Sequence, residues 1–175
     1  MPTSDNQGKF IAKALINQAN PSTIWDMGAG EGTYRDLMWD EGIDSVWIAV
    51  EIWKPYIEEF ILWRDYDAVY NYDIRDTSFF GAADRNHDLA IFGDVLEHMT
   101  EDEARHVILQ AKLHFRYILV SIPLGYHPQG EVNGNPHEAH LKHWEFDEMH
   151  AAMGYCMAFK GHTIGLYWWD SEEDV

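Results

Sequence analysis

At 175 residues the chain is long enough for one domain with a sheet buried between helices. Hydrophobic residues make up 46% of it, with eight Trp and eight Phe as bulky core material, which excludes a disordered body. Twelve basic residues, scattered singly from Lys9 to Lys160, stand against 30 acidic ones; a formal charge of -18 argues against a long nucleic acid as partner.

In chain order, the pattern begins with an opening helix carrying Phe10, Ile11, Ala14 and Leu15 on one face. The run Thr23-Ile24-Trp25 reads as a first buried strand. Tyr34, Leu37, Met38 and Glu41 follow a helical spacing that stops at Gly42. The apolar run Ser45 to Val50 is a second strand, and Pro55 opens a helix with Ile57, Phe60 and Ile61 as its stripe. A weaker strand, Ala68 to Tyr72, precedes two strong ones, Leu89 to Phe92 and Tyr117 to Ile122. Between those two, Thr100 and Glu103 form a capping box ahead of Ala104, Val107, Ile108 and Ala111. Phe146, Met149 and Met153 make a shorter helical stripe that ends at Gly154. Finally, Tyr155 to Lys160 and Thr163 to Trp169 are separated only by Gly161-His162, so they pair antiparallel.

Strands that are apolar on both faces and alternate with helices form a parallel sheet covered on both sides. The fold class is therefore α/β: a doubly wound, Rossmann-like sheet, mostly parallel, with an antiparallel C-terminal hairpin. There is no internal repeat and no low-complexity linker, so residues 1–175 read as a single domain. Cys156 is the only cysteine, which excludes an internal disulfide and points to a reducing compartment. Met1 to Gln7 has no apolar signal core, and no segment approaches the roughly 18 apolar residues that span a membrane. A soluble, cytoplasmic protein is expected, with Asp170 to Val175 as a solvated acidic end.

The first strand runs into Asp26-Met27-Gly28-Ala29-Gly30-Glu31-Gly32, directly before a helix. Glycines at such a turn accept unusual dihedrals and let a ligand approach the backbone. A dinucleotide fingerprint would place a third glycine where Thr33 stands, and no Gly-Lys-Ser or Gly-Lys-Thr exists for a nucleoside triphosphate. An acidic, glycine-rich loop without a phosphate-gripping lysine suits a ligand that carries an amino acid and a sulfonium in place of phosphates. Glu51, at the end of the second strand, can accept hydrogen bonds from both hydroxyls of a ribose.

Together these features resemble class I S-adenosylmethionine-dependent methyltransferases, over nearly the whole chain from Ile24 to Trp169. Asp26 to Gly32 resembles the first motif of that family, Glu51 its ribose-binding acid, and Gly93-Asp94-Val95-Leu96-Glu97-His98-Met99 its fourth-strand motif. The resemblance implies a seven-stranded sheet and S-adenosylmethionine as cofactor. It also implies that Asp26, Gly28, Gly30 and Gly32 hold the methionine part and Glu51 the ribose. Asp73 would reach the adenine amino group, with Asp76 as the neighbouring alternative, Ile74 would lie against the ring, and Gly93 would line the cofactor site.

Methyl transfer is an in-line displacement in which alignment supplies most of the catalysis, and a base is needed only if the acceptor must lose a proton. Asp94, Glu97 and His98 fall on one side of a helical start. Similar Glu-x-x-Glu-His arrangements bind a divalent metal in small-RNA 3′-terminal methyltransferases and in some ubiquinone-pathway O-methyltransferases. Here Asp94 replaces the first glutamate, so a divalent metal is not favoured and the metal-free reading is adopted. Pro123 to His143 is a long loop expected to hang over the methyl end as a substrate loop. It carries His127, His137, His140 and His143, and His137-Glu138-Ala139-His140 is one residue too short for the zinc-protease spacing. The functional pair selected from sequence is His98 with His127. A small-molecule acceptor is expected; the alternatives are a nicotinamide-dependent enzyme, against which Thr33 and the closing hairpin count, and a non-catalytic cofactor-binding module.

Overall fold

In the computed structural model, which describes residues 8–76, 78 and 87–172, successive strand residues are buried on opposite faces of one sheet. On β1 (Thr23–Met27), Ile24 packs on one side while Trp25 and Met27 pack on the other. The same alternation runs through β2 (Val46–Glu51), where Trp47 and Ala49 oppose Ile48 and Val50, and through β4 (His87–Gly93), where Leu89 and Ile91 oppose Ala90 and Phe92. Both faces being dry is why these strands read as unbroken apolar runs.

Helices α1 (Lys9–Ala19), α2 (Thr33–Leu37), α3 (Lys54–Glu59) and α4 (Leu62–Asp65) cover one face through Ala12, Ile16, Tyr34, Ile57 and Leu62. The other face is covered by α5 (Glu101–His114) and α6 (Phe146–Met153), through Ala104, Val107, Ile108, Met149 and Met153. The capping box that starts α5 is present: the Thr100 N–H donates to Glu103 Oε2 at 2.8 Å and the Glu103 N–H to Thr100 Oγ1 at 3.4 Å.

With β3 (Ala68–Asn71), β5 (Phe115–Pro123), β6 (Met157–Lys160) and β7 (Ile164–Asp170), the sheet has seven strands in the order β3-β2-β1-β4-β5-β7-β6. The first five are parallel; β7 enters antiparallel between β5 and β6, with Val120 opposite Tyr167. From β1 the chain steps outward to β3, then crosses to β4 on the opposite side of β1. That reversal opens a crevice beyond the carboxyl ends of β1 and β4. Register then puts Glu51 one residue past the Met27–Val50 pair, level with the start of the glycine loop.

Three local expectations change. The helix expected to run to Gly42 ends at Leu37, and residues 38–40 form a turn. On α1 the buried residues are Ala12 and Ile16, with Ile11 and Leu15 half-buried, while Phe10 is 73% exposed and Ala14 faces outward. Apolar spacing alone placed the stripe part of a turn away from the buried pair Ala12 and Ile16. The stripe through Ile57, Phe60 and Ile61 is broken: Ile61 has φ 51°, a left-handed conformation unfavourable for a β-branched residue, and it separates α3 from α4. Met1 to Gln7 and the last three residues of the acidic end lie outside the described residues. No helix among the described residues is long and apolar enough to cross a membrane.

Candidate functional site

The chain leaves β1 through a tight loop in which Gly28, Gly30 and Gly32 have φ of 79°, 52° and 84°, all left-handed. Backbone bonds from the Gly28 and Ala29 N–H groups to the Val50 carbonyl, at 2.8 and 3.2 Å, tie this loop to the end of β2. The glycines differ in what surrounds them. A Cβ on Gly28 would lie 2.5 Å from Val95 Cγ2, so that glycine is required by packing against the turn after β4. A Cβ on Gly30 would meet nothing nearer than the Gly28 carbonyl oxygen at 4.0 Å, so the space above Gly30 is open. Gly93 is a third case: a Cβ there would lie 2.3 Å from the Tyr34 ring, which rests on the end of β4.

Two acids stand beneath the loop. Glu51 is 5% exposed; its Oε2 accepts the Gly30 N–H at 3.0 Å and its Oε1 the Trp53 N–H at 2.7 Å. Burial pushes its carboxyl above the usual range, opposed by those amides. Asp26 is 2% exposed and accepts a 2.6 Å hydrogen bond from the Tyr66 hydroxyl. Burial raises Asp26 to about 7, with the Tyr66 bond working against the shift and the Glu51 charge adding to it. Sequence reasoning missed Tyr66, which lies 40 positions from Asp26 and reads only as one apolar residue before the third strand.

Asp73 and Ile74 line the same crevice as Asp26, Gly28, Gly30, Glu51 and Gly93, a cavity of about 610 Å³, whereas Gly32 is not part of its lining and faces the Tyr66 ring. Ile74 is buried at its wall. Both carboxylate oxygens of Asp73 accept from Arg75, at 2.9 Å from Nε to Oδ1 and 2.7 Å from Nη2 to Oδ2, and this pair holds the Asp73 carboxyl below its ordinary range. Asp76, the alternative, accepts instead from the Tyr72 hydroxyl at 2.7 Å.

At the opposite wall, the segment 123–143 is ordered by the protein itself. Leu124 bridges to Trp144, Pro136–Glu138 forms a single 3₁₀ turn, and the Glu97 carbonyl accepts the Leu141 and Lys142 N–H groups at 2.8 and 3.1 Å. The predicted residues His98 and His127 both line the cavity. The His127 side chain is exposed, whereas the ring centroids of His98 and His140 are 5.0 Å apart. His98 Nδ1 lies 3.3 Å from the Ala139 carbonyl oxygen, and His140 Nδ1 contacts the His127 carbonyl oxygen. A carbonyl can only accept, so each ring donates from Nδ1. Desolvation pushes both histidines below their usual range.

Beside them lies Glu97, 2% exposed, whose Oε2 has no hydrogen-bond partner among the described residues. Burial, followed by the charges of Asp94 and Glu138, lifts its carboxyl well above the ordinary range. One potential ligand atom from each of Glu97, His98 and His140 falls within 4.8 Å of the others. Sequence reasoning singled out the Glu97-His98 neighbourhood but not its meeting with His140, which depends on how the long segment folds back.

No family model and no curated protein matches the sequence. Solved structures match its fold. The methyltransferase domain of bacterial CtHen1-CN aligns with a TM-score of 0.69 at 15% identity, over 96% of this chain and 100% of that one. The N-terminal domain of EvdMO1 with SAH bound gives 0.65 at 14% identity, over 94% and 80%. The 1,6-didemethyltoxoflavin-N1-methyltransferase of Burkholderia thailandensis, with 1,6-didemethyltoxoflavin and S-adenosylhomocysteine bound, gives 0.63 at 15%, over 94% and 78%. This chain has the class I methyltransferase fold. In a methyltransferase fold of this topology, the strand ends that bear the glycine loop, Glu51 and Ile74 meet in one cavity with Glu97, His98 and His140.

Proposed function

We propose that the chain is an S-adenosylmethionine-dependent methyltransferase acting on a small-molecule acceptor. The observation that carries this reading is the loop after β1. Gly30 leaves open space toward the cavity while Glu51 braces its amide from below, in a fold shared with structures that hold S-adenosylhomocysteine. Asp26 and the glycines receive the amino-acid end of the donor, and Glu51 uses its remaining lone pairs for the ribose hydroxyls. Ile74 packs on the adenine. Asp73, although already paired with Arg75, has lone pairs left for the adenine amino group.

Such a donor brings a sulfonium and an ammonium into a cavity walled by Asp26, Glu51, Asp94 and Glu97, which favours cations over phosphates. In the transfer step the acceptor's lone pair forms the new bond to the methyl carbon as the carbon–sulfur bond breaks, leaving a neutral thioether. No protein nucleophile takes part, so the chain's work is to align the two reactants and exclude water. The segment 123–143 acts as the substrate wall, with His98 and His140 facing the acceptor and His127 fixing His140 through its carbonyl.

Calorimetric titration with S-adenosylhomocysteine and, separately, with NAD tests the reading. One-to-one binding of the first and none of the second is expected. Binding of NAD alone would contradict it.

A further inference from the structure

We propose that Glu138 is a donor-binding residue: from the segment 123–143 it grips the ribose of S-adenosylmethionine on the side opposite Glu51. This deepens the methyltransferase reading and rests on it. The chain after β5 is steered across the cavity by its own sequence. Asn133 and Gly134, with φ of 52° and 77°, make a tight left-handed turn, closed by the Asn135 N–H on the Val132 carbonyl at 2.8 Å. Asn135, 2% exposed, then starts the 3₁₀ turn Pro136–Glu138 by accepting the His137 N–H on Oδ1 at 3.0 Å. That turn lies beside the end of the cavity assigned to the nucleoside. The His137 and Trp53 ring centroids are 6.0 Å apart, and Trp53 stands two residues past Glu51. The segment expected from sequence to face the acceptor thus also reaches the donor.

Glu138 is 9% exposed and lines the cavity together with Glu51. Its carboxyl is oriented from within the segment: Oε1 receives Asn135 Nδ2 at 3.4 Å and Oε2 receives Gln129 Nε2 at 3.3 Å. Both bonds are long, and the firmer ties of the segment do not use the carboxyl. Gln129 Nε2 donates to the Glu138 carbonyl at 2.8 Å, and the His140 N–H to the Gln129 carbonyl at 2.9 Å. Holding the segment therefore does not require an acid here; an amide or an apolar side chain would do so without the cost of burying a charge. Burial raises the carboxyls of both Glu138 and Glu51, and the Glu138 charge adds to the rise at Glu51. Two such groups facing one cavity are accommodated when a ligand hydroxyl lies between them. Its proton goes to the Glu51 carboxylate, and its oxygen accepts from the neutral carboxyl of Glu138. A ribose supplies that hydroxyl.

Calorimetry on the full chain with S-adenosylhomocysteine and with its 2′-deoxy and 3′-deoxy forms tests the contact. Glu138→Ala should weaken S-adenosylhomocysteine by about 3–10-fold. The form that lacks the gripped hydroxyl should bind variant and parent alike, within about twofold, because the partner of Glu138 is already gone. Glu138→Gln, whose amide donates at the same place, should keep the parent's affinity. A purely structural role would weaken all three ligands equally. That result, or an unchanged affinity for S-adenosylhomocysteine in Glu138→Ala, would overturn the assignment. Where the alanine variant folds poorly, Glu138→Asp withdraws the carboxyl by one methylene and reads the same difference between ligands. If the parent chain binds no S-adenosylhomocysteine, the donor-site reading falls and takes this contact with it. If it binds and the three ligands respond alike to the variant, the role of Glu138 alone falls.

Discussion

Glu51 Oε2 accepts the N–H of Gly30 at 3.0 Å, so the acid at the end of β2 is also the brace of the loop after β1. Its other oxygen holds the Trp53 N–H at 2.7 Å. Removing the carboxylate therefore leaves two amides short of a partner as well as removing contacts to a ribose. Glu51→Ala should raise the dissociation constant for S-adenosylhomocysteine by about 10–100-fold and cost about 1–3 kcal/mol of stability per orphaned amide that stays dry. Calorimetry and urea denaturation read the two effects, and an unchanged dissociation constant would move the ribose role elsewhere.

The glycines separate packing from binding. Gly28→Ala drives a methyl group to 2.5 Å from Val95 Cγ2 and should unfold the protein at markedly lower temperature. Gly30→Ala meets no such obstacle; its left-handed φ of 52° costs only about 1–2 kcal/mol. That variant should remain folded yet lose most of its affinity for S-adenosylhomocysteine, because the added methyl group points into the ligand's space. Thermal melts paired with titrations distinguish the two, and full affinity in Gly30→Ala would count against the loop assignment.

Asp26 gives stability a pH dependence of definite sign. With its carboxyl raised to about 7, the folded chain keeps a proton that the unfolded chain releases near its ordinary value of 3.8. This group therefore favours folding most at low pH, and its contribution declines as pH rises from about 4 to about 7, by at most about 4 kcal/mol. Asp26→Asn should gain stability relative to the parent between pH 5 and pH 8 in urea denaturation. Parallel curves at the two pH values would show that the carboxyl is not raised.

The same residue makes ligand affinity pH-dependent. An ammonium group seated at Asp26 requires the ionised form, so S-adenosylhomocysteine should bind more tightly at pH 8 than at pH 6, with a proton released on binding at the lower pH. Titration in buffers of different ionisation enthalpy measures that proton. Tyr66→Phe, which removes the 2.6 Å donor to Asp26, should steepen the dependence by raising the carboxyl further.

The parts of this protein that sequence made legible are those fixed by neighbours in the chain. Apolar runs alternating with helical stripes gave the parallel sheet, the Gly161-His162 spacing gave the antiparallel closing hairpin, and Thr100 with Glu103 gave the start of α5. The glycine loop and Glu51 were legible because each directly follows a strand. What escaped depends on distant segments meeting. Tyr66 reaches Asp26 across the glycine loop, and His140 reaches His98 only because the Glu97 carbonyl pins residues 141 and 142. His127 lines the same cavity as His98, and its carbonyl contacts His140 Nδ1, a contact that sequence position does not reveal. The face of α1 was misplaced by part of a turn: periodicity finds a stripe, but Ala12, a small residue, is buried where Phe10 is not.

A crystal structure of the protein with S-adenosylhomocysteine tests the cofactor site most directly. The nucleoside should lie along the loop from Gly28 to Gly30, with its ribose hydroxyls on Glu51 and its sulfur turned toward His98 and His140. Density for the ligand elsewhere, or none beside Gly30 and Glu51 at saturating concentration, would contradict the assignment.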